Sequence, residues 1–176
     1  MSTSKTSRRL ALMGMMGCGK SSVAQALSER LNLPFLDVDE EIVREAGQPI
    51  PFIFDHEGEA GFRRRETDVL ERLAVSGQGG VVALGGGTPV LPQNARVLQE
   101  AFCPVWLDAP WDILFSRVEA SDRPLLQAGA TDFRDRYWRR RSVYESLACF
   151  TVDVRANSID QVTERVANWW KEHRHE

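Results

Sequence analysis

The sequence predicts a three-layer α/β domain in which helices flank a five-stranded parallel sheet. Short apolar runs alternate along the chain with segments whose apolar residues recur at helical spacing, and this alternation is typical of such a sheet. With 176 residues, 43% of them hydrophobic, the chain is long enough to bury a sizeable core. No internal repeat or low-complexity linker divides it, so we expect a single domain over residues 1–176 with its core at 8–172.

A glycine-rich loop between the first strand and the first helix indicates the kind of sheet. Residues 8–13 predict a buried strand, and apolar residues recur at helical spacing over 21–31. Between them, the sequence Gly-Met-Met-Gly-Cys-Gly-Lys-Ser at 14–21 matches the phosphate-binding pattern G-x-x-x-x-G-K-[ST]. A strand, this loop and a helix in that order predict the P-loop NTPase fold.

Each residue type in the loop suits a nucleoside triphosphate. The glycines free backbone N–H groups to wrap a β-phosphate, and the following helix directs its positive end at that charge. We expect Lys20 to reach the β- and γ-phosphates and the Ser21 hydroxyl to ligate Mg²⁺. A glycine-rich turn that only starts a helix is the alternative, and the complete pattern argues against it. The predicted nucleotide-binding residues of the loop are Gly14, Gly17, Cys18, Gly19, Lys20, Ser21 and Ser22.

Lysine usage sets Lys20 apart from the other cationic residues. The chain has three lysines, Lys5, Lys20 and Lys171, against nineteen arginines, so Lys20 is the only ammonium group in the body of the protein. A lysine is a compact, flexible point charge, whereas an arginine is a planar fork. Its use at this position therefore favours a phosphate-binding role.

Two carboxylates follow the second predicted strand. The apolar run at 34–36 ends in Asp37-Val-Asp39, and ligands of open α/β sheets bind at the carboxyl ends of strands. At a strand-to-helix corner the two side chains can diverge, so that one serves a metal and the other a substrate. The alternative is that Asp39 caps the next helix and Asp37 is solvated.

The remaining elements continue the alternation. Short helices at 39–46 and 51–54 precede a longer helix over 61–76, in which Arg63 and Glu66 stand one turn apart and could be an ordinary solvated ion pair. Gly85 to Gly87 end the third strand, either as a simple turn or as a place where a ligand approaches the backbone. The later elements are strands at 81–84, 105–107 and 150–154 and helices at 92–101, 108–117, 131–147 and after a capping box, Ser158-x-x-Gln161.

Composition argues against several classes of protein. The net charge of −3 disfavours a nucleic-acid-binding protein, although arginine runs at 63–65 and 139–141 need an explanation. Three widely spaced cysteines indicate neither a disulfide framework nor a zinc site and fit a reducing cytosol. The polar first nine residues lack the apolar core of a signal peptide, and no apolar run approaches the ~20 residues of a membrane span. We therefore expect a cytoplasmic protein.

Six motifs in order resemble those of the shikimate kinase family, over a stretch from Leu10 to about Val154. They are a G-x-x-G-x-G-K loop at Gly14 to Lys20, a D-x-D at Asp37 and Asp39, an F-R-x-x-E at Phe62 to Glu66, a G-G-G at Gly85 to Gly87, an R-P-L-L at Arg123 to Leu126, and an R-x-x-x-Y interpreted as Arg141 and Tyr144. Each motif alone is weakly specific, and their common order makes the resemblance.

The resemblance implies ATP-dependent phosphorylation of the 3-hydroxyl of shikimate, a small ring with one carboxylate and three hydroxyls. It implies that Arg63 and Arg141 hold the carboxylate, for which the planar fork of arginine is suited. Asp39 would orient or deprotonate the nucleophilic hydroxyl. Gly85 to Gly87 would let backbone amides approach the ring, and Asp37 would hold Mg²⁺ through water.

The resemblance also implies a mobile lid at about 119–131 beside a substrate-binding segment at about 39–66. The lid would bring Arg123 to the transferring γ-phosphate and exclude water, which makes Lys20, Asp39 and Arg123 the catalytic set. Arg117 would stack on adenine, and Arg155 would border the same base. We expect a monomer that binds ATP, Mg²⁺ and shikimate, and neither nucleic acid nor a membrane.

One departure from the family pattern affects a site residue. Ser142 and Val143 stand where the family usually has Pro-Leu, so Arg139 and Arg140 stay open as alternatives to Arg141. Three other functions also stay open at this point: a small P-loop kinase for gluconate or a nucleoside monophosphate, a nucleotide-binding module without catalysis, and a nucleic-acid-binding protein that uses the two arginine runs.

Overall fold

A five-stranded parallel sheet forms the centre of the computed structural model, which describes residues 8–76, 78–119 and 129–173. Its strands are β1 (Arg9–Met13), β2 (Phe35–Asp37), β3 (Val81–Ala83), β4 (Phe102–Asp108) and β5 (Phe150–Asp153). They lie in the order β2-β3-β1-β4-β5, and every neighbouring pair is parallel. The chain builds one side of β1 first and then crosses to the other, and such a reversal opens a crevice at the carboxyl ends of the strands.

The helices of the described residues flank this sheet. They are α1 (Lys20–Leu31), α2 (Val38–Ala46), α3 (Ile50–Val75), α4 (Pro92–Ala101), α5 (Trp111–Glu119), α6 (Gly129–Leu147) and α7 (Ile159–His173), with a short 3-10 helix at Thr88–Val90. All five residues of β1 are buried, and Leu10 to Met13 accordingly form a continuous apolar run rather than an alternating one. The predicted α/β fold with a five-stranded parallel sheet is confirmed.

The predicted capping box forms at the start of α7. The backbone N–H of Gln161 donates to Ser158 Oγ at 3.2 Å, and that of Ser158 donates to Gln161 Oε1 at 2.8 Å. The helix then buries Val162, Val166 and Trp170 on one face. Reciprocal satisfaction of two free donors explains why the helix begins at this point.

Several element boundaries differ from those predicted: the helix expected at 108–117 is Trp111–Glu119, and larger differences concern α3 and β4. The helices expected at 51–54 and 61–76 are one run, Ile50–Val75, interrupted at Gly58, whose φ of 67° lies in the left-handed region that favours glycine. The strand expected at 105–107 begins earlier, because Phe102 and Cys103 already pair with Arg9 and Leu10 of β1. Within the described ranges, no helix is long and apolar enough to cross a membrane.

Candidate active site

A cleft of about 390 Å³ lies at the carboxyl edge of the sheet, above β1 and β3. The loop that follows β1 forms its floor, and three glycines there have positive φ: Gly14 (149°), Gly17 (83°) and Gly19 (88°). A Cβ on Gly14 would stand 2.5 Å from the Leu107 carbonyl oxygen, and one on Gly17 would stand 2.6 Å from that of Leu114. Both positions therefore require glycine for space as well as for conformation.

The start of α1 offers an anion site. Its N-cap, Gly19, makes no side-chain capping bond, so the first backbone N–H groups of the helix are available to a ligand. Lys20 lines the cleft, and its Nζ donates to the Met15 carbonyl at 3.1 Å and lies 3.8 Å from Cys18 Sγ. Cys18 itself is buried and does not line the cleft. Ser21 and Ser22 also line the cleft.

Ser21 and Asp37 meet beside the phosphate loop. Ser21 Oγ donates to Asp37 Oδ2 at 2.6 Å, while Asp37 Oδ1 accepts from the backbone N–H groups of Asp39 at 3.0 Å and Glu40 at 3.4 Å. Asp37, and not Asp39, is thus the N-cap of α2. Its second oxygen and the hydroxyl together present the hard oxygen ligands that Mg²⁺ prefers.

Asp39 points into the cleft as a carboxyl group that holds its proton unusually well. Burial, with the charges of Asp37 and Glu66, raises its pKa to about 6, and Lys20 and Arg63 offset part of that shift. Its side chain faces Gly85, where a Cβ would stand 3.0 Å from Asp39 Oδ1. A half-buried carboxylate of this pKa is suited to accept a proton near neutral pH.

Arg63 is fixed on the other wall of the cleft by two glutamates. Its Nη1 donates to Glu66 Oε2 at 2.6 Å, and its Nη2 and Nε donate to Glu59 Oε1 at 3.1 and 3.3 Å. Glu66 is fully buried, whereas the side chain of Glu59 is 70% exposed. The pair of Arg63 and Glu66 is therefore not the solvated ion pair that spacing alone allows, and only the Glu59 side of the fork is open to exchange partners.

A chain of buried polar groups supports Glu66 from behind. Thr88 Oγ1 donates to Glu66 Oε1 at 2.5 Å, and Asn94 Nδ2 donates to the Thr88 carbonyl at 2.9 Å. Thr67 Oγ1 in turn donates to Asn94 Oδ1 at 2.8 Å. Because each of these groups is paired, the carboxylate that orients Arg63 is held in one place.

The three glycines after β3 bring backbone to the cleft. A Cβ on Gly85 would crowd Glu66, Asp39 and Thr88, and one on Gly87 would overlap the Arg63 guanidinium. The carbonyl oxygen of Gly86 accepts a hydrogen bond of 2.6 Å from the buried Tyr144 hydroxyl. The triplet is therefore a place of close approach and not only a turn.

The structure places Arg140, rather than Arg141, in the cleft. Arg140 lines it near Gly86 and Met15, and its Nη1 lies 3.9 Å from Met15 Sδ. Arg141 faces the opposite side of α6, where it forms an ion pair with Asp108. The assignment of Arg141 is corrected accordingly: four residues before Tyr144, the R-x-x-x-Y spacing falls on Arg140.

The arginines expected near the adenine are separated. Arg117 lines the cleft, and its Nη2 donates to the carbonyls of Val154 at 2.8 Å and Arg155 at 3.0 Å. The Arg155 side chain instead pairs with Asp153 outside the cleft. Arg123 and most of the predicted lid lie outside the described residues.

Several lining residues were not anticipated from the sequence. Arg136 stands one helical turn before Arg140 on α6, reaches the cleft and is held by Asp132 at 2.5 Å. The i, i+4 spacing of Arg136 and Arg140 is the signal that could have found it. Apolar side chains from the first half of α3 complete the wall, namely Ile50, Phe54 and Phe62.

Each arginine run contributes one side chain to the cleft, Arg63 from the first run and Arg140 from the second. Arg63 pairs with Glu66, and Arg65 pairs with Glu57 at 2.7 Å. In the second run, Arg140 and Arg141 face different sides of α6. The cationic groups that share the cleft are Lys20, Arg63, Arg117, Arg136 and Arg140. This concentration of positive charge in a small cleft suits a polyanionic ligand.

Comparisons with known proteins point to one family. A family model described as shikimate kinase matches residues 16–171. A shikimate kinase of Ruegeria pomeroyi is 38% identical over 162 residues, 90% of this chain and 83% of that protein, and one of Ralstonia nicotianae is 37% identical over 157 residues, 88% and 82% of the two chains. The solved structure of shikimate kinase from Acinetobacter baumannii in complex with shikimate has a TM-score of 0.87 at 32% identity and covers 96% of both chains.

Proposed function

This chain belongs to the shikimate kinase family, and from that premise we propose which of its residues bind the two substrates and transfer the phosphoryl group. The reaction is the transfer of the γ-phosphoryl group of ATP to the 3-hydroxyl of shikimate, which gives shikimate 3-phosphate and ADP. The observation that carries the proposal is the convergence of the phosphate loop, Asp39 and two arginines on one cleft.

The phosphate loop binds the triphosphate of ATP. The N–H groups at the start of α1 receive the β-phosphate, and Lys20 leaves the Met15 carbonyl to bridge the β- and γ-phosphates. Arg117 covers the adenine, supported by the carbonyls of Val154 and Arg155 that hold its guanidinium. The Arg155 side chain has no part in this assignment because Asp153 holds it.

Ser21 and Asp37 hold Mg²⁺ next to the phosphates. Within the described residues, no cluster of three or more His, Cys, Asp or Glu side chains offers a metal site of its own. A hydroxyl and a carboxylate oxygen 2.6 Å apart nevertheless fit this ion, which takes one or two protein oxygens and completes its shell with phosphate and water. When bound there, the ion neutralises charge on the phosphate oxygens.

Arg63 and Arg140 bind the carboxylate of shikimate from two sides. Arg63 uses the edge of its fork that now contacts the exposed Glu59, while Glu66 keeps the other edge in place. Burial, with the neighbouring charges of Arg136 and Arg63, lowers the pKa of Arg140. A bound carboxylate would offset the repulsion between Arg140 and the neighbouring cations, which supports this assignment.

Asp39 accepts the proton of the attacking 3-hydroxyl. It lies between the phosphate loop and the glycine triplet, and its raised pKa of about 6 still leaves it ionised at neutral pH. Gly85 to Gly87 let the ring approach the backbone, because side chains there would overlap Asp39 or Arg63. The nucleophile is thereby aligned with the γ-phosphate, and such alignment is the main source of acceleration in phosphoryl transfer.

Arg123 supplies the last positive charge as the lid at about 119–131 closes. This assignment rests on the R-P-L-L motif alone, because the segment lies outside the described residues. An arginine that reaches the transferring phosphoryl group can raise the rate by a factor of about 10³ to 10⁵. Closure would also exclude water, which otherwise competes with shikimate as acceptor.

A direct test is ADP release from the purified protein with ATP and Mg²⁺, in parallel reactions with shikimate, gluconate, AMP or no acceptor. We expect acceleration by shikimate alone. Acceleration by gluconate or AMP would contradict the assignment of Arg63 and Arg140 to a ring carboxylate, and ATP binding without any acceptor effect would favour a module without catalysis.

We further propose that the enzyme acts as a monomer in the cytoplasm.

A further inference from the structure

Arg140 and Arg141 are neighbours on α6 that face different parts of the molecule. An α-helix turns by about 100° per residue, so the rotation of α6 decides which of the two reaches the cleft. Arg140 lines the cleft, while Arg141 lines a separate depression of about 390 Å³ with Asp108, Tyr137 and Trp138. Whatever fixes this rotation therefore also directs the Arg140 guanidinium.

Arg141 is held from several directions. Its Nη1 donates to Asp108 Oδ2 at 2.9 Å, to Asp108 Oδ1 at 3.0 Å and to Tyr137 Oη at 2.5 Å. Its guanidinium also lies over two aromatic rings, 4.8 Å from the centroid of Trp106 and 5.6 Å from that of Tyr137. A planar cation suits this combination of ion pair and stacking, and a lysine ammonium does not.

Asp108 belongs to the framework of the active site. It is the last residue of β4, and its carbonyl accepts a hydrogen bond of 2.8 Å from Val154 after β5. The preceding Leu107 carbonyl packs against Gly14 of the phosphate loop so closely that no Cβ fits there. The ion pair therefore fastens α6 to the strand that supports the phosphate loop.

A second contact holds α6 close to Arg140. One turn after Arg140, Tyr144 donates to the Gly86 carbonyl at 2.6 Å and so ties α6 to the glycine triplet. Within the described part of the chain, Arg140 makes no ion pair with a carboxylate; its guanidinium hydrogen-bonds to the Tyr144 hydroxyl, and its Nη1 lies 3.9 Å from the Met15 sulfur. Because Tyr144 is on the same helix, the direction of Arg140 follows the rotation of α6.

We propose that Arg141 and Asp108 are positioning residues for shikimate binding. Their ion pair sets the rotation of α6 and so directs Arg140 toward the substrate carboxylate, although neither residue touches the substrate. The proposal rests on the role of Arg140 given under the proposed function. Because Arg140 comes from α6, whereas the phosphate loop and Lys20 come from the β1–α1 segment, loss of the ion pair weakens shikimate binding more than ATP binding.

The test compares Arg141→Met and Asp108→Asn with Arg139→Met, a matched control at an exposed position of the same helix. We expect each of the first two changes to raise the shikimate KM about tenfold while the ATP KM stays within about twofold. Arg141→Lys should give a smaller rise, because it keeps the charge and loses the fork. The control should match the parent enzyme, and circular dichroism should show that every variant is folded.

Combination with Arg140→Met separates this proposal from the function on which it rests. If Arg141 acts through Arg140, Arg141→Met adds no further rise in shikimate KM once Arg140 is absent. Additive effects, equal rises in both KM values, or an unchanged shikimate KM in the folded Arg141→Met and Asp108→Asn variants would overturn the positioning role. If Arg140→Met alone leaves the shikimate KM unchanged, the carboxylate assignment of Arg140 fails, and the positioning role falls with it.

Discussion

Glu66 is fully buried, and its Oε2 accepts a hydrogen bond of 2.6 Å from Arg63 Nη1 at the wall of the active-site cleft. A carboxylate in this position cannot bind substrate itself, because Thr88 occupies its other oxygen. It instead holds one edge of the Arg63 fork. The opposite edge contacts only the exposed Glu59 and is the part that a substrate carboxylate can reach.

Replacement of Glu66 by Gln should raise the shikimate KM about tenfold and leave the ATP KM unchanged, because Arg63 loses a charged partner and with it a defined orientation. The free energy of unfolding should fall by about 1–3 kcal/mol, since Arg63 loses a buried carboxylate partner. Steady-state kinetics with each substrate varied, and urea unfolding, measure the two effects. The control is Glu59→Gln, which should not raise the shikimate KM. Equal rises in both KM values for Glu66→Gln would contradict the orienting role.

Gly87→Ala should disturb shikimate binding without disturbing the fold. The φ of Gly87 is −89°, which alanine adopts freely, so the backbone does not oppose the change. Its new methyl group would overlap the Arg63 guanidinium and displace it. We expect a shikimate KM raised about tenfold with a melting temperature close to that of the parent. A large loss of melting temperature would mean that the glycine serves folding rather than substrate access.

Lys20→Met should abolish phosphoryl transfer, because Lys20 is the one lysine among the described residues that line the cleft and so the one that can bridge the β- and γ-phosphates. Lys171→Met is the matched control, since Lys171 is exposed near the end of α7. The measurement is kcat with both substrates saturating. A near-normal kcat for Lys20→Met would remove the phosphate loop from the mechanism.

The fold and the phosphate loop could be predicted from sequence because their signals are local. Gly14, Gly17 and Gly19 have positive φ values within one short loop, and the loop pattern fixes where Lys20 and Ser21 stand. The extent of β4 was less predictable, because Phe102 and Cys103 join the strand by pairing with β1, a contact between distant parts of the chain.

The side-chain assignments on α6 needed the structure. Each successive arginine in the run at 139–141 points about 100° further around the helix. Which of them faces the cleft depends on contacts of α6 with other elements. Arg141 forms an ion pair with Asp108, and the neighbouring Arg140 faces the cleft. Asp37 shows the same limit: spacing left its role open, and the structure shows that it caps α2 and meets Ser21 at the same time.

Asp37→Asn and Asp37→Ala should separate the metal-binding role of Asp37 from its capping role. Asparagine caps a helix about as well as aspartate but offers Mg²⁺ a weaker ligand, so Asp37→Asn should raise the Mg²⁺ concentration for half-maximal activity and keep its stability. Asp37→Ala should show the same metal defect and lose about 1 kcal/mol of unfolding free energy. Mg²⁺ titrations and urea unfolding test this. An unchanged Mg²⁺ requirement in both variants would exclude Asp37 as a metal-binding residue.

Asp39→Asn should make the protein more stable and nearly inactive above pH 7. The pKa of Asp39 rises from its ordinary value of 3.8 to about 6 in the folded protein, chiefly through burial. The folded state therefore holds this proton more tightly than the unfolded state, so the contribution of Asp39 to stability is complete below about pH 4 and is lost as pH rises through 6. Because asparagine does not ionise, the variant does not lose this stability as pH rises. At pH 8 its free energy of unfolding should exceed that of the parent by about 2–3 kcal/mol.

The same titration should govern catalysis in the parent enzyme. If Asp39 accepts the hydroxyl proton, kcat/KM for shikimate falls on the acid side with an apparent pKa near 6, and Asp39→Asn lowers kcat by about 10² to 10⁴. Glu40→Gln, a change at the exposed neighbouring carboxylate, should alter neither the pH profile nor kcat. The decisive comparison is the stability gain of Asp39→Asn at pH 8 against that at pH 4, where it should vanish. A gain that is the same at both pH values would come from packing or hydrogen bonding, and the acid limb of the activity profile would then belong to another group.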